Sequence, residues 1–105
     1  MNYIRKALEA LPGHWFNDGI EDGKGNYCGL GHLGLVVSEY KDPYAFWEHF
    51  EFVEVMNEVA LAQYPERISS DMSLPFAAFN DHPETTEAEV VAVMEKAAVQ
   101  WDERV

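Results

Sequence analysis

Glycine and proline are placed so unevenly in this chain that they constrain its architecture before any other feature does. All seven glycines lie between Gly13 and Gly34, whereas Pro12, Pro43, Pro65, Pro75 and Pro83 are spread along the length. Proline breaks a helix internally but suits its first turn, so these five positions mark segment boundaries. The glycines confine unusual backbone geometry and close backbone approach to one stretch.

Between the boundaries the apolar residues recur at helical spacing. Ile4, Leu8 and Leu11 share a face over Asn2 to Leu11, and Pro12-Gly13 stops that helix. Residues 14–27 bracket a Gly- and Asp-rich stretch with aromatics, which reads as a short hairpin or ordered loop. Cys28 to Tyr40 is apolar through Leu30, Leu33, Leu35, Val36 and Val37, and reads as a buried helix. Asp42-Pro43 is an N-cap followed by proline at the first helical position. From there Phe46, Phe50, Val53, Ala60 and Tyr64 predict one long helix up to Pro65. Ser73 to Phe79 has room for one or two turns. Thr86-Glu87-Ala88-Glu89 fits a capping box, and Val90, Met94, Ala97 and Trp101 form the stripe of a last helix from about Glu87 to Glu103. The expected fold is mainly α: a compact bundle of four to five helices with a short hairpin or ordered loop after the first, in a single domain spanning 1–105.

Composition agrees with this reading and excludes several functions. A chain of 105 residues suffices for one core, and its 48% apolar content supplies enough burial to oppose disorder. No apolar run approaches the length of a membrane span, and the N-terminal residues lack the apolar stretch of a secretory signal, so a cytoplasmic protein is expected. Cys28 is the single cysteine and can form no internal disulfide, consistent with a reducing compartment. The net charge is −12. Residues 1–41 hold five acids and four bases, which leaves −11 on residues 42–105. Such a body repels phosphate backbones and anionic lipid, so direct nucleic-acid and membrane binding are not expected.

Two motifs carry a resemblance. Trp15 is followed by Cys28-Gly29-Leu30-Gly31-His32-Leu33, a Cys-x-x-Gly-x-Leu helix start. Residues 79–90 then give Phe-Asn-Asp-His-Pro-Glu-Thr-Thr-Glu-Ala-Glu-Val. The chain thereby resembles a family of small uncharacterised proteins of bacteria and their phages over most of its length. The resemblance implies a shared fold and assigns no activity. In that pattern the position of His32 is usually a small residue, often Ala, so any role of His32 would be particular to this chain.

Several motifs suggest chemistry and must be weighed against plainer readings. Gly29-x-Gly31-x-x-Gly34 has the letters of a dinucleotide fingerprint but lacks the preceding strand and parallel sheet that motif requires; close packing by small residues is the better reading. Asp18 to Gly29 resembles a calcium loop at Asp18, Asp22 and Gly23, yet Ile20 and Gly29 stand where two ligands are needed. Cys28 and His32, four apart, would suit a nucleophilic pair or two metal ligands, with His14 as another candidate base, but a lone cysteine is more often a buried small hydrophobe. Asn80 and Asp81, possible polar contributors to a binding pocket, read first as residues that fix a turn by bonding backbone N–H groups. Glu48, Glu51, Glu54 and Glu58 form an acidic stripe with no basic partner on their helix, which is either a solvated face or a contact surface. The resulting expectation is a non-enzymatic module that uses this acidic face to bind a basic protein partner, with no metal and no cofactor. A small Cys28-dependent enzyme with a nearby histidine is the alternative.

Overall fold

The computed structural model of the protein describes residues 2–69 and 73–104. Five α-helices form it: α1 Tyr3–Ala10, α2 Gly29–Val37, α3 Phe50–Gln63, α4 Pro75–Asp81 and α5 Glu87–Arg104. Short 3₁₀ segments cover Ala45–His49 and Pro65–Arg67, and no strand occurs among the described residues. The mainly-α bundle expected from the apolar periodicity is therefore the observed fold.

Helices α1, α4 and α5 begin where polar side chains satisfy free N–H groups. The Asn2 side chain accepts from the N–H groups of Ile4 and Arg5 at 3.1 and 3.3 Å, and its amide donates to the Ala98 carbonyl at 2.8 Å, fastening the start of α1 to α5. At α5 the capping box is reciprocal. Thr86 Oγ1 accepts from Glu89 N–H at 3.2 Å, and Glu89 Oε1 accepts from Thr86 N–H at 2.9 Å. Helix α4 takes its cap from another helix, because buried Asn57 of α3 accepts from Phe76 N–H at 2.9 Å.

One core runs through the molecule. α3 packs on α5 and α4, and α1 on α2 and α5. Phe46, Phe76, Phe79, Leu30, Leu33, Met56 and Met94 are the largest fully buried side chains, with Ile4 and Leu11 closing the α1 side. Trp101 stacks at a tilt on Phe52 with centroids 4.1 Å apart, and Tyr64 stacks on Phe79 at 4.8 Å.

The single helix expected from Asp42 to Tyr64 is broken. Asp42 does cap, accepting from Tyr44 N–H at 2.9 Å, but the α-helix starts only at Phe50, after a 3₁₀ segment whose last residue, His49, leaves helical geometry (φ −133°, ψ 53°). Phe46 and Phe52 are both buried. Six residues apart on one continuous helix, they would point roughly 120° away from each other. The break lets both reach the core.

The stretch from 12 to 28 is an ordered loop crossed at Tyr27, which makes isolated bridges to Trp15 and Glu21. Tyr27 N–H donates to the His14 carbonyl at 2.9 Å, Phe16 N–H to the Tyr27 carbonyl at 3.1 Å, and Cys28 N–H to the Ile20 carbonyl at 3.1 Å. Asp22 closes the tip, accepting from the N–H groups of Lys24 and Asn26 and from the Asn26 amide at 2.7, 3.2 and 2.8 Å. The Asn26 bond, ahead of the backbone bonds, lowers the Asp22 pKa. Both carboxylate oxygens of Asp22, one of the two acids that suggested a calcium loop, are thus engaged by the turn itself.

Candidate functional site

The candidate residues fall in three places. Cys28, Asn80 and Asp81 lie where α2 begins and α4 ends, with His32 one turn along α2; the glutamates lie on the outside of α3; an aromatic corner precedes α3.

The first place is built around Asn80, which is fully buried at the end of α4. Its side-chain oxygen accepts from the Trp15 indole N–H at 2.8 Å and from Gly29 N–H at 3.2 Å. Its amide donates to the Phe16 carbonyl at 3.0 Å and to Asp81 Oδ1 at 3.1 Å. All four hydrogen-bonding positions of an Asn side chain are used. Asp81 Oδ1 also accepts from Gly19 N–H at 3.3 Å. Asn80 and Asp81 therefore bond backbone N–H groups far away in sequence, binding the 15–29 stretch to α4. Trp15, the Cys28-Gly29 helix start and the Asn80-Asp81 pair are one connected assembly.

Cys28 is 1% exposed, and its thiol accepts from Gly31 N–H at 3.4 Å as the cap of α2. A helix N-terminus lowers a thiol pKa, whereas burial raises it. Burial wins: the thiol is pushed up to about 12. His32 is 3% exposed; its Nε2 lies 2.9 Å from the His14 carbonyl, and its Nδ1 is buried without a hydrogen-bond partner among the described residues. Burial, ahead of all other causes, lowers its pKa and favours the neutral ring. An N–H on Nε2 donating to the carbonyl leaves Nδ1 as a bare lone pair. His14 takes part through its backbone, while the residue itself is exposed. Among the described residues no three His, Cys, Asp or Glu side chains converge in a way that could hold a metal ion.

The three glycines of α2 are occupied by neighbours. A methyl group at Gly29 would lie 2.6 Å from the Phe76 ring, at Gly31 2.7 Å from the Ile20 carbonyl oxygen, and at Gly34 2.0 Å from the Pro43 carbonyl oxygen. The residues that spell a phosphate fingerprint serve here to bring two backbone segments and an aromatic ring against the helix.

Glu51, Glu54 and Glu58 recur along the exposed side of α3, and Glu48 precedes them on the 3₁₀ segment. Glu58 pairs with Arg104 of α5, and Glu51 lies 3.6 Å from His49 Nδ1. Among the described residues Glu48 and Glu54 have no ion-pair partner.

The aromatic corner escaped the sequence reading. Trp47 is 55% exposed, Tyr44 47% and Tyr40 68%. The Trp47 ring stacks on Phe50 with centroids 5.6 Å apart and planes 10° from parallel. A usable signal existed: Tyr44 and Trp47, three apart, fall outside the apolar stripe that starts at Phe46. Arg67 was missed as well. It donates to Glu89 at 2.9 Å and Thr85 at 3.1 Å, and its guanidinium lies 4.7 Å over the Tyr64 ring. That bond is the first cause of the Glu89 carboxyl falling to about 2. Arg67 borders a cleft of about 320 Å³ against α4, with Leu74, Asp81 and His82 on its wall. A second cleft of about 270 Å³ lies between Tyr3, Lys6, Val37 and Tyr40.

What these features define is a mainly-α protein whose most distinctive buried polar residues hold its own segments together. The chain belongs to a family of unknown function, DUF6197, whose family model matches residues 2–100. No curated protein and no solved structure matches it. Among the described residues no helix is long and apolar enough to cross a membrane.

Proposed function

We propose that this protein is a non-enzymatic binding module that engages a basic protein through the acidic side of α3. The observation that carries the reading is that Glu48, Glu51 and Glu54 are exposed together on a body of net charge −12. Glu48 and Glu54 lack an ion-pair partner among the described residues, and Glu51 has only a half-exposed histidine beside it. A field of one sign raises the encounter rate with an oppositely charged partner and rejects like-charged ones. The alternative, a small enzyme using Cys28, is weakened by a thiol that is buried and held protonated at neutral pH.

The test is affinity capture from the producing cells, followed by association kinetics with the captured protein for the wild type and for a Glu48→Gln, Glu51→Gln, Glu54→Gln variant. The reading expects slower association for the variant and a flatter dependence on salt, because long-range charge acts mainly on the on-rate. Equal rates and equal salt slopes would reduce the glutamates to a solvated face.

A further inference from the structure

We infer that the aromatic corner ahead of α3 is a docking platform for an arginine-bearing segment of the partner, in which a guanidinium stacks on Trp47 and Tyr44 while Glu48, Glu51 and Glu54 neutralise its charge. This rests on the acidic-face reading and names the chemistry that would recognise it.

Tyr44 and Trp47 are three apart, the spacing that aligns side chains on a 3₁₀ turn, and both are about half exposed. Trp47 lies nearly parallel to Phe50 and tilted against Phe46, with centroids 5.6 and 5.2 Å away, so the half-exposed indole is a flat π surface held in place by two rings. Phe50 and Glu54 are four apart on α3 and share a side of the helix, with Glu51 adjacent. The platform therefore stands at the N-terminal end of the acidic stripe. Flat aromatic faces beside carboxylates suit a planar cation that can stack and donate two parallel hydrogen bonds, which an arginine does and a lysine does not. The protein already uses this arrangement internally, where Arg67 lies over Tyr64 and donates to Glu89.

Other occupants fit less well. A second copy of the chain would bring the same glutamates against one another on a body of −12. Nucleic acid and anionic lipid are repelled by the same field. An enclosed small cation needs a cage, and neither cleft is lined by Tyr44 or Trp47. Nor does the chain supply its own guanidinium: its three arginines, Arg5, Arg67 and Arg104, are paired with Asp102, Glu89 and Glu58.

Two synthetic peptides of equal charge test this, one alternating arginine with glycine and one alternating lysine with glycine, titrated against the intact protein while tryptophan fluorescence and calorimetry are recorded. The arginine peptide should bind about five-fold more tightly than the lysine peptide, the scale of a partly exposed cation–π contact. Trp47→Leu should erase that preference while leaving the weaker, salt-sensitive binding of both peptides. Because Trp47 and Tyr44 lie outside the core, Tyr44→Ser serves as an independent second variant and should reduce the preference in the same direction. If both peptides bind equally and neither variant changes the binding, the aromatic platform is overturned while the acidic-face reading stands. If neither peptide binds, both fail. Loss of binding in the Glu48→Gln, Glu51→Gln, Glu54→Gln variant with the arginine preference intact in the wild type supports both.

Discussion

The stretch from Pro12 to Gly34 and the α3–α5 pair bury their residues by opposite means. In the first, bulk is withheld at three positions: Gly29, Gly31 and Gly34 let a ring and two backbone carbonyls approach α2, and one buried amide, Asn80, links the segments. In the second, bulk is the means: Val53, Met56, Val59, Val90, Met94 and Ala97 are buried where the two helices pack together. The first arrangement should therefore fail when atoms are added or a single polar group is removed. The second fails when atoms are taken away.

The sharpest break in this contrast is Gly34→Ala. The added methyl meets a backbone carbonyl that no rotamer change can move, so the loss should be at least about 4 kcal/mol, a large part of what a small domain possesses. A chemical denaturation curve with no folded baseline, or a greatly reduced midpoint, is the expected result. Met94→Ala, which empties core space instead of adding to it, should leave a folded protein with a measurable midpoint.

Next in size is Asn80→Leu. The substitution leaves the Trp15 indole N–H and Gly29 N–H without their acceptor, at a cost of about 3 kcal/mol for two orphaned donors. Trp15→Phe removes one of these donors, so the double variant should lose less than the sum of the two single ones. Urea melts of all four proteins measure that coupling, and strict additivity would contradict the hub.

A third effect depends on pH. Burial lowers the His32 pKa in the folded protein relative to the unfolded chain. Above about 6.5 the ring is neutral in both states and contributes no slope. As pH falls below that, the unfolded chain takes up a proton that the folded one resists, so stability declines. His32→Ala should flatten stability between about pH 6.5 and 5 in thermal melts. The smallest effect belongs to the surface of the helical pair: Glu51→Gln with Glu54→Gln should change stability by no more than about 0.5 kcal/mol, because both side chains are solvated.

Local features were legible in the sequence and long-range ones were not. Proline spacing, the apolar stripes and the Thr86–Glu89 box located the helices because each signal lies within a few residues of the structure it specifies. The break at His49 depends on Phe46 and Phe52 sharing a core with α5, which no local period records. Asn80 and Asp81 were recognisable as residues that bond backbone N–H groups, but their partners, Gly29 and Gly19, lie 51 and 62 residues away. The same holds for Gly34: its sequence predicts close approach, and only the fold shows that Pro43 is what approaches. Trp47 was hidden among buried aromatics, since exposure is a property of the surroundings and not of the residue.

The Asn80 hub also bears on how the protein is made. Synthesis delivers Trp15 and Gly29 long before Asn80, so a nascent chain carries α1, the glycine-rich loop and the start of α2 with no acceptor for either donor. α1 and α2 can pack on each other early, but the hub that ties the loop to them is completed only once α4 has emerged, and α5, which packs on α1 and α3, follows it. The buried hydrogen bonds of Trp15 and Gly29 are thereby closed only after residue 80 has been made. A ribosome stalled before residue 80 would hold the Trp15 and Gly29 donors without their acceptor, and the loop between them without its tie to the rest of the fold.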